Sequence, residues 1–166
     1  DVPKYYYGFG GDFRYKNIGV GILFQGTAGA DRVMEGSGIR PFTSSTGGGT
    51  LYANITDRWS KDDPSNDNVF YPRLAWSSAD PSNINNFQTS TWWQKDMSFL
   101  GVEQFTVSYY FPKAWTKKSF LSGGRFYIMG SNVLTFSKFK LWDPELTTNN
   151  GISYPNVSSY TIGVAI

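Results

Sequence analysis

The side chains in this chain best suited to chemistry are carboxylates, and several are close in sequence. Asp96 with Glu103, and Asp143 with Glu145, have the residue types a glycosidase uses as general acid and as base or nucleophile. Acidic residues are also common within and beside strands, so neither pair is assigned a catalytic role and no enzyme is expected. Asp57, Asp62, Asp63 and Asp67, with Asn66 and Asn68, offer oxygen ligands of the kind calcium takes. Their spacing misses the EF-hand pattern, and an acidic, proline-containing loop accounts for them too, so no cofactor or resident metal is expected. Gly47-Gly48-Gly49 lacks the Lys-Ser/Thr and the strand-to-helix setting of a phosphate cradle and reads as a loop tip. The indoles of Trp76, Trp92, Trp93, Trp115 and Trp142 are flat enough to stack on sugar rings. Trp and Tyr also gather at the two water interfaces of membrane barrels. Trp76, Trp92, Trp93 and Trp142 therefore stand as candidates for ligand contact or for an interface girdle.

Composition removes whole classes of function. The 166 residues include no cysteine and no histidine, which excludes disulfides, thiolate chemistry, Ser-His-Asp systems and the common structural zinc sites. With 15 basic and 13 acidic residues the formal charge is +2, too near neutral to call for nucleic acid. Aromatics make up 18%, well above ordinary usage. No apolar run approaches the ~18 residues of a transmembrane helix. No basic-then-apolar leader opens the sequence either, since Asp1-Val2-Pro3-Lys4 passes almost directly into a strand pattern.

The elements that must position these residues are strands. Period-two alternation, punctuated by Gly, Asn, Ser and Pro, gives about five of them. Residues 4–14 set Tyr5, Tyr7, Phe9 and Phe13 against Gly8, Gly10, Asp12 and Arg14, and Tyr15-Lys16-Asn17 makes a tight turn. Residues 18–26 set Ile18, Val20, Ile22 and Phe24 against Gly19, Gly21, Leu23 and Gln25. Residues 99–111 place Phe105, Val107, Tyr109 and Phe111 opposite Gln104, Thr106 and Ser108. Residues 125–136 are apolar on both sides and leave their faces unassigned. Residues 160–166 set Tyr160, Ile162, Val164 and Ile166 against Thr161, Gly163 and Ala165. Short connections (after the first and third strands, the latter through Pro112-Lys113-Ala114-Trp115) alternate with long ones at about residues 27–98 and 137–159. Membrane barrels alternate in this way between brief periplasmic turns and extended outer loops. A strand that runs to the last residue is expected to pair with the first strand of a closed barrel.

Five stretches, in order, resemble the C-terminal region of the SusC/RagA-like TonB-dependent outer-membrane transporters of Bacteroidota. They are Pro3-Lys4-Tyr5-Tyr6-Tyr7-Gly8 with Phe24-Gln25-Gly26-Thr27-Ala28-Gly29; Arg58-Trp59 through Asp63-Pro64 to Tyr71-Pro72-Arg73-Leu74; Ser90-Thr91-Trp92-Trp93-Gln94-Lys95-Asp96-Met97-Ser98-Phe99-Leu100; Gly130-Ser131-Asn132-Val133-Leu134-Thr135-Phe136 with Trp142-Asp143-Pro144-Glu145; and Tyr154-Pro155 before Tyr160-Thr161-Ile162-Gly163. The resemblance implies an all-β antiparallel meander of about five strands within a barrel of about 22 strands. Residues 1–166 would be the C-terminal portion of that barrel, with one long extracellular loop at about 27–98 and the C-terminus on the periplasmic side. Val20, Ile22, Phe24, Phe105, Val107, Tyr109, Tyr160, Ile162 and Val164 would then face lipid. Trp115, beside Lys113, Lys117 and Lys118, would anchor the periplasmic interface. The family implies import of oligosaccharides or peptides across the outer membrane beneath a SusD-like surface lipoprotein, driven by TonB. Its plug, TonB-contacting segment and signal peptide have no counterpart in this sequence, so the remaining barrel and plug are expected as partners. Three positions depart from the family: Gly101 stands where a basic residue is usual, Ser131 where Gln is frequent, and Ile166 where an aromatic commonly closes the chain. A secreted all-β carbohydrate-binding module with a Trp/Tyr sugar platform is the alternative.

Overall fold

A computed structural model describes residues 2–36, 39–42, 53–77, 79–81, 84–116 and 123–166. Gly47-Gly48-Gly49, Lys117 and Lys118 lie outside the described residues. The strands are β1 (Tyr5–Tyr15), β2 (Ile18–Ala28), β3 (Asp31–Val33), β4 (Gln94–Asp96), β5 (Phe99–Tyr110), β6 (Arg125–Ser137) and β7 (Ser159–Ala165). Three single helical turns accompany them: a 3-10 turn at Ala53–Thr56, α1 (Ile84–Phe87) and α2 (Lys113–Thr116). The chain divides into two units, one built from residues 1–31, 96–146 and 154–166, the other from residues 32–95 and 147–153.

The first unit is the predicted meander. Five strands lie in the order β1-β2-β5-β6-β7, each antiparallel to its neighbour. The β1–β2 turn is as tight as its sequence suggests: Tyr15 pairs with Ile18 and Lys16 takes a positive φ of 52°. The connection from β5 to β6 is longer than a tight turn and contains α2. Pairing places the β1–β2 turn, the end of β5, the start of β6 and the end of β7 at one edge of the sheet. Within this sheet β1 and β7 each have a neighbour on one side only. In hydrocarbon such an edge leaves its N–H and C=O groups unsatisfied at several kcal/mol each, so it needs further strands.

The register explains why the fourth strand could not be assigned faces from alternation. Leu23 pairs with Gln104 while Phe24 pairs with Val102, so Glu103 is an extra residue, a β-bulge. Across β6 the same break runs from Ser131, opposite Gln104, to Leu134, opposite Val102, and Asn132 between them has a φ of 53°. The bulge shifts the phase of β5: Phe105, Val107 and Tyr109 share a face with Val102 and Leu100, although their numbers differ in parity. On β6 that face carries Phe126, Ile128, Leu134 and Phe136.

Close approach, not turn geometry, fixes two wall glycines. A methyl group on Gly163 would lie 2.6 Å from the Tyr127 ring, which crosses over from β6. On Gly26 it would meet the Phe99 carbonyl as well as the Tyr7 ring at 2.7 Å, and the Tyr7 hydroxyl donates to that same carbonyl at 2.8 Å. Gly26→Ala should therefore cost about 1–3 kcal/mol through overpacking. Gly11→Ala, with nothing within 4 Å, should be neutral or slightly stabilising. Unfolding midpoints of the two variants in the full-length protein test this, and equal midpoints would refute the account.

The second unit has its own small core. Met34, Ile39, Tyr71 and Trp93 are buried, with Tyr71 1% exposed. Phe70 meets Tyr71 edge-on at 4.7 Å and Trp93 at 6.4 Å. Tyr71 is pinned through its backbone: its N–H donates to the Asp57 carbonyl at 2.9 Å, and its own carbonyl accepts from Trp59 at 3.0 Å.

Candidate functional site

The five-stranded sheet presents two unlike faces. The register puts Val20, Ile22 and Phe24 of β2, Phe105, Val107 and Tyr109 of β5, and Tyr160, Ile162 and Val164 of β7 on a single side. Phe9 stacks on Phe24 there at 5.0 Å between centroids. The side is not sealed: Ile162 and Tyr160 are each 70% exposed, and Ile128, the partner of Ile162, is 44% exposed. In a β-sandwich these side chains would be the buried core; among the described residues their sheet consists of β1, β2, β5, β6 and β7.

The opposite side is polar and recessed. Asp12, Arg14, Gln104, Thr106, Arg125 and Tyr127 line a concavity of about 430 Å³ where Gly19 and Gly21 keep the surface low. Its cations rest on aromatic rings, with Arg14 3.7 Å above Tyr110 and Arg125 5.5 Å from Tyr127. Nucleophile, base and orienting group do not come together here; the arrangement suits a wetted polar wall.

Three of the four paired carboxylates are held in local hydrogen bonds. Asp96 accepts the backbone N–H of Ser98 at 2.8 Å, and hydrogen bonds from Ser98 hold its pKa below the ordinary value. Asp143 and Glu145 converge on one amide nitrogen, Asn156 Nδ2, at 3.1 and 2.8 Å, and Asp143 also accepts the Glu145 N–H at 3.0 Å. Burial pushes the Glu145 carboxyl above its usual value; the charges of Asp143 and Glu103 add to this, and the Asn156 bond opposes it. A carboxyl raised in the folded state stabilises the fold when protonated, an advantage lost as pH rises from the ordinary 4.5 through the raised value. The loop at residues 138–158 should therefore resist proteolysis better at mildly acidic than at neutral pH. Glu145→Gln should flatten that dependence, and an unchanged pH profile would refute the assignment.

The tryptophans separate by burial. Trp93 is 2% exposed and its indole N–H donates to the Asn86 carbonyl at 2.9 Å, which corrects its expected role as a ligand or interface aromatic: it is core. Trp92 is half-buried and donates to the Phe70 carbonyl at 3.0 Å. Trp142 packs edge-on against Phe139 at 4.8 Å, and its buried N–H has no hydrogen-bond partner among the described residues. Trp76 stays 70% exposed beside Phe42, 5.5 Å away, and Trp115 stays 62% exposed at the edge bearing the β1–β2 turn. Among the described residues no three acidic side chains gather as a metal site would require. Of the 57–67 cluster, Asp63 accepts from Ser65 at 3.1 Å, and the Asp57 charge offsets part of the burial that lowers the Lys95 pKa.

One feature of the site carries a signal in the sequence and another carries none. The consecutive polar pair Glu103-Gln104 interrupts the alternation of Val102 with Phe105 and Val107 and marks the bulge. Arg40, between Ile39 and Pro41, gives no pattern at all, yet it is 9% exposed within the second unit.

No family model matches the chain. It is 28% identical over 98% of its length to TonB-dependent receptor P3 of Formosa agariphila, and 26% identical over 99% to TonB-dependent receptor P26 of the same organism. It spans only 16% and 17% of those two relatives. Among solved structures it superposes on the RagAB peptide importer in the open-open state with a TM-score of 0.71 and 25% identity, covering 98% of this chain and 17% of that one. The closed-closed state gives 0.72 and 23%, with the same coverage. No helix among the described residues is long and apolar enough to cross a membrane. Sustained over nearly the whole chain, these likenesses make it similar to a segment of TonB-dependent receptors, with the antiparallel β fold of the corresponding part of the RagAB importer.

Proposed function

We propose that the chain is the C-terminal part of the wall of an outer-membrane nutrient importer. The observation that carries this is the continuous apolar face that the sheet leaves exposed, with Ile162 at 70%. Lipid tails are the solvent such a face suits, and the polar side opposite it suits a lumen. Val20, Ile22, Phe24, Phe105, Val107, Tyr109, Tyr160, Ile162 and Val164 contact lipid in this reading, and Trp115 anchors the periplasmic interface. The edge holding the β1–β2 turn and the C-terminus is periplasmic, and residues of about 27–98 form the long extracellular loop. The barrel is completed to about 22 strands, and plugged, by the rest of the protein. TonB supplies energy through that remainder, and a SusD-like lipoprotein delivers an oligosaccharide or peptide; likeness to a peptide importer supports the peptide. Trp76, with Phe42 beside it, is the exposed aromatic best placed for ligand contact, and neither catalysis nor a cofactor is required.

Fractionation of the full-length protein tests this. Recovery in the outer membrane, with extraction only by detergent and loss of uptake on deletion of the segment, is the expected result. A soluble monomer with a cooperative melt in plain buffer would overturn it in favour of a secreted carbohydrate-binding module.

A further inference from the structure

Where the apolar side of the sheet reaches the edge with the β1–β2 turn, it ends in cations and exposed aromatic rings. Two hydrogen bonds tie that turn to the end of β5: the Tyr110 N–H donates to the Asn17 carbonyl, and Asn17 Nδ2 donates to the Tyr110 carbonyl, each at 2.7 Å. Lys16 is thereby held beside the connection that carries Lys113 and Trp115 in α2. The Lys16 ammonium lies 5.2 Å from the ring of Tyr15, whose partner Ile18 pairs in turn with Tyr109 on the apolar side. Trp115 approaches the same side, 6.4 Å from the Tyr109 ring. Tyr15 and Trp115 are each 62% exposed, and both lysines are exposed.

The sequence around these cations supplies no carboxylate side chain. Residues 13–30 and 104–142 contain neither Asp nor Glu, and Asp12 lines the concavity on the polar side. Lys16 also holds a left-handed φ of 52°, where Gly or Asn would sit with less strain. Turn geometry alone therefore does not account for a lysine at that position.

We propose that this edge binds the headgroup phosphate of an anionic phospholipid, with Lys16 and Lys113 as the cations and Tyr15 and Trp115 flanking the start of the acyl chains. The inference rests on the importer reading, in which this edge meets the periplasmic leaflet. Charge and continuity select the partner. The lysines call for an anion, and the apolar face that runs up to them calls for hydrocarbon. A phospholipid satisfies both at once, whereas a free phosphate would satisfy only the first. Lysine suits the task, because its stem can lie along apolar surface while its ammonium reaches the headgroup.

The test uses the full-length protein reconstituted in phosphatidylcholine vesicles at low ionic strength. A minor part of the lipid is replaced by brominated phosphatidylglycerol or by brominated phosphatidylcholine. Quenching of Trp115 is read as the difference between the native protein and Trp115→Phe. Half-quenching at a smaller fraction of phosphatidylglycerol than of phosphatidylcholine is expected. That preference should fall roughly fivefold in Lys16→Asn and again in Lys113→Gln. Asn suits the turn, so Lys16→Asn removes the charge without threatening the fold, and Lys113→Arg should keep the preference. Added salt should narrow it. Equal quenching by the two headgroups, or a preference unchanged in both neutral variants, would overturn the proposal and leave the importer reading standing. Quenching by neither lipid would overturn both, since Trp115 would then lie outside the membrane.

Discussion

Trp93→Ala should destabilise the second unit by about 3–5 kcal/mol, the range for removing a buried large aromatic. The indole is 2% exposed, lies 6.4 Å from Phe70 and 6.5 Å from Tyr71, and supports the guanidinium of Arg40. Its loss also takes from the Asn86 carbonyl the donor now 2.9 Å away. Trp93→Phe should restore part of the packing but not that bond. Hydrogen exchange on the full-length protein reads the effect directly. Faster exchange confined to residues 32–95, with the wall unchanged, is the expected pattern. Protection unaltered in Trp93→Ala would return this residue to the surface roles its sequence suggested.

Ile162→Arg is the corresponding experiment on the wall. Ile162 pairs with Ile128 on the apolar side, while its neighbour Thr161 pairs with Met129 on the polar side. Placed at mid-bilayer, the arginine should cost about 2–4 kcal/mol of assembly, and Thr161→Arg markedly less. The folded fraction in outer membranes, read by heat-modifiable gel mobility, distinguishes them. Equal losses at the two positions would refute the facing.

The sheet was legible because its signal is local. Alternation in β1, β2 and β7 needs no knowledge of neighbours, and Lys16-Asn17 between two strands is turn chemistry on its own. β6 was not legible: with Tyr127 and Met129 apolar on the side away from Phe126 and Ile128, its faces are set only by the partner residues of β5 and β7. The long segment after β2 was harder still. Its core draws Met34, Ile39, Tyr71 and Trp93 from distant positions, and no periodicity links residues so spaced. For that reason Trp93 looked like a surface aromatic and Arg40 drew no notice.

Glu103 has a bearing on how such walls change over time. Because this bulge absorbs the change of parity, deleting Glu103 alone would restore unbroken alternation and keep Leu100, Val102, Phe105 and Val107 on one side, whereas a single deletion elsewhere in β5 would send greasy side chains to the wet side. Descendants of this chain can therefore lose a single residue at the bulge, but elsewhere in β5 only when a compensating slip arises in the same strand, whereas the loops beyond its ends are free to vary in length.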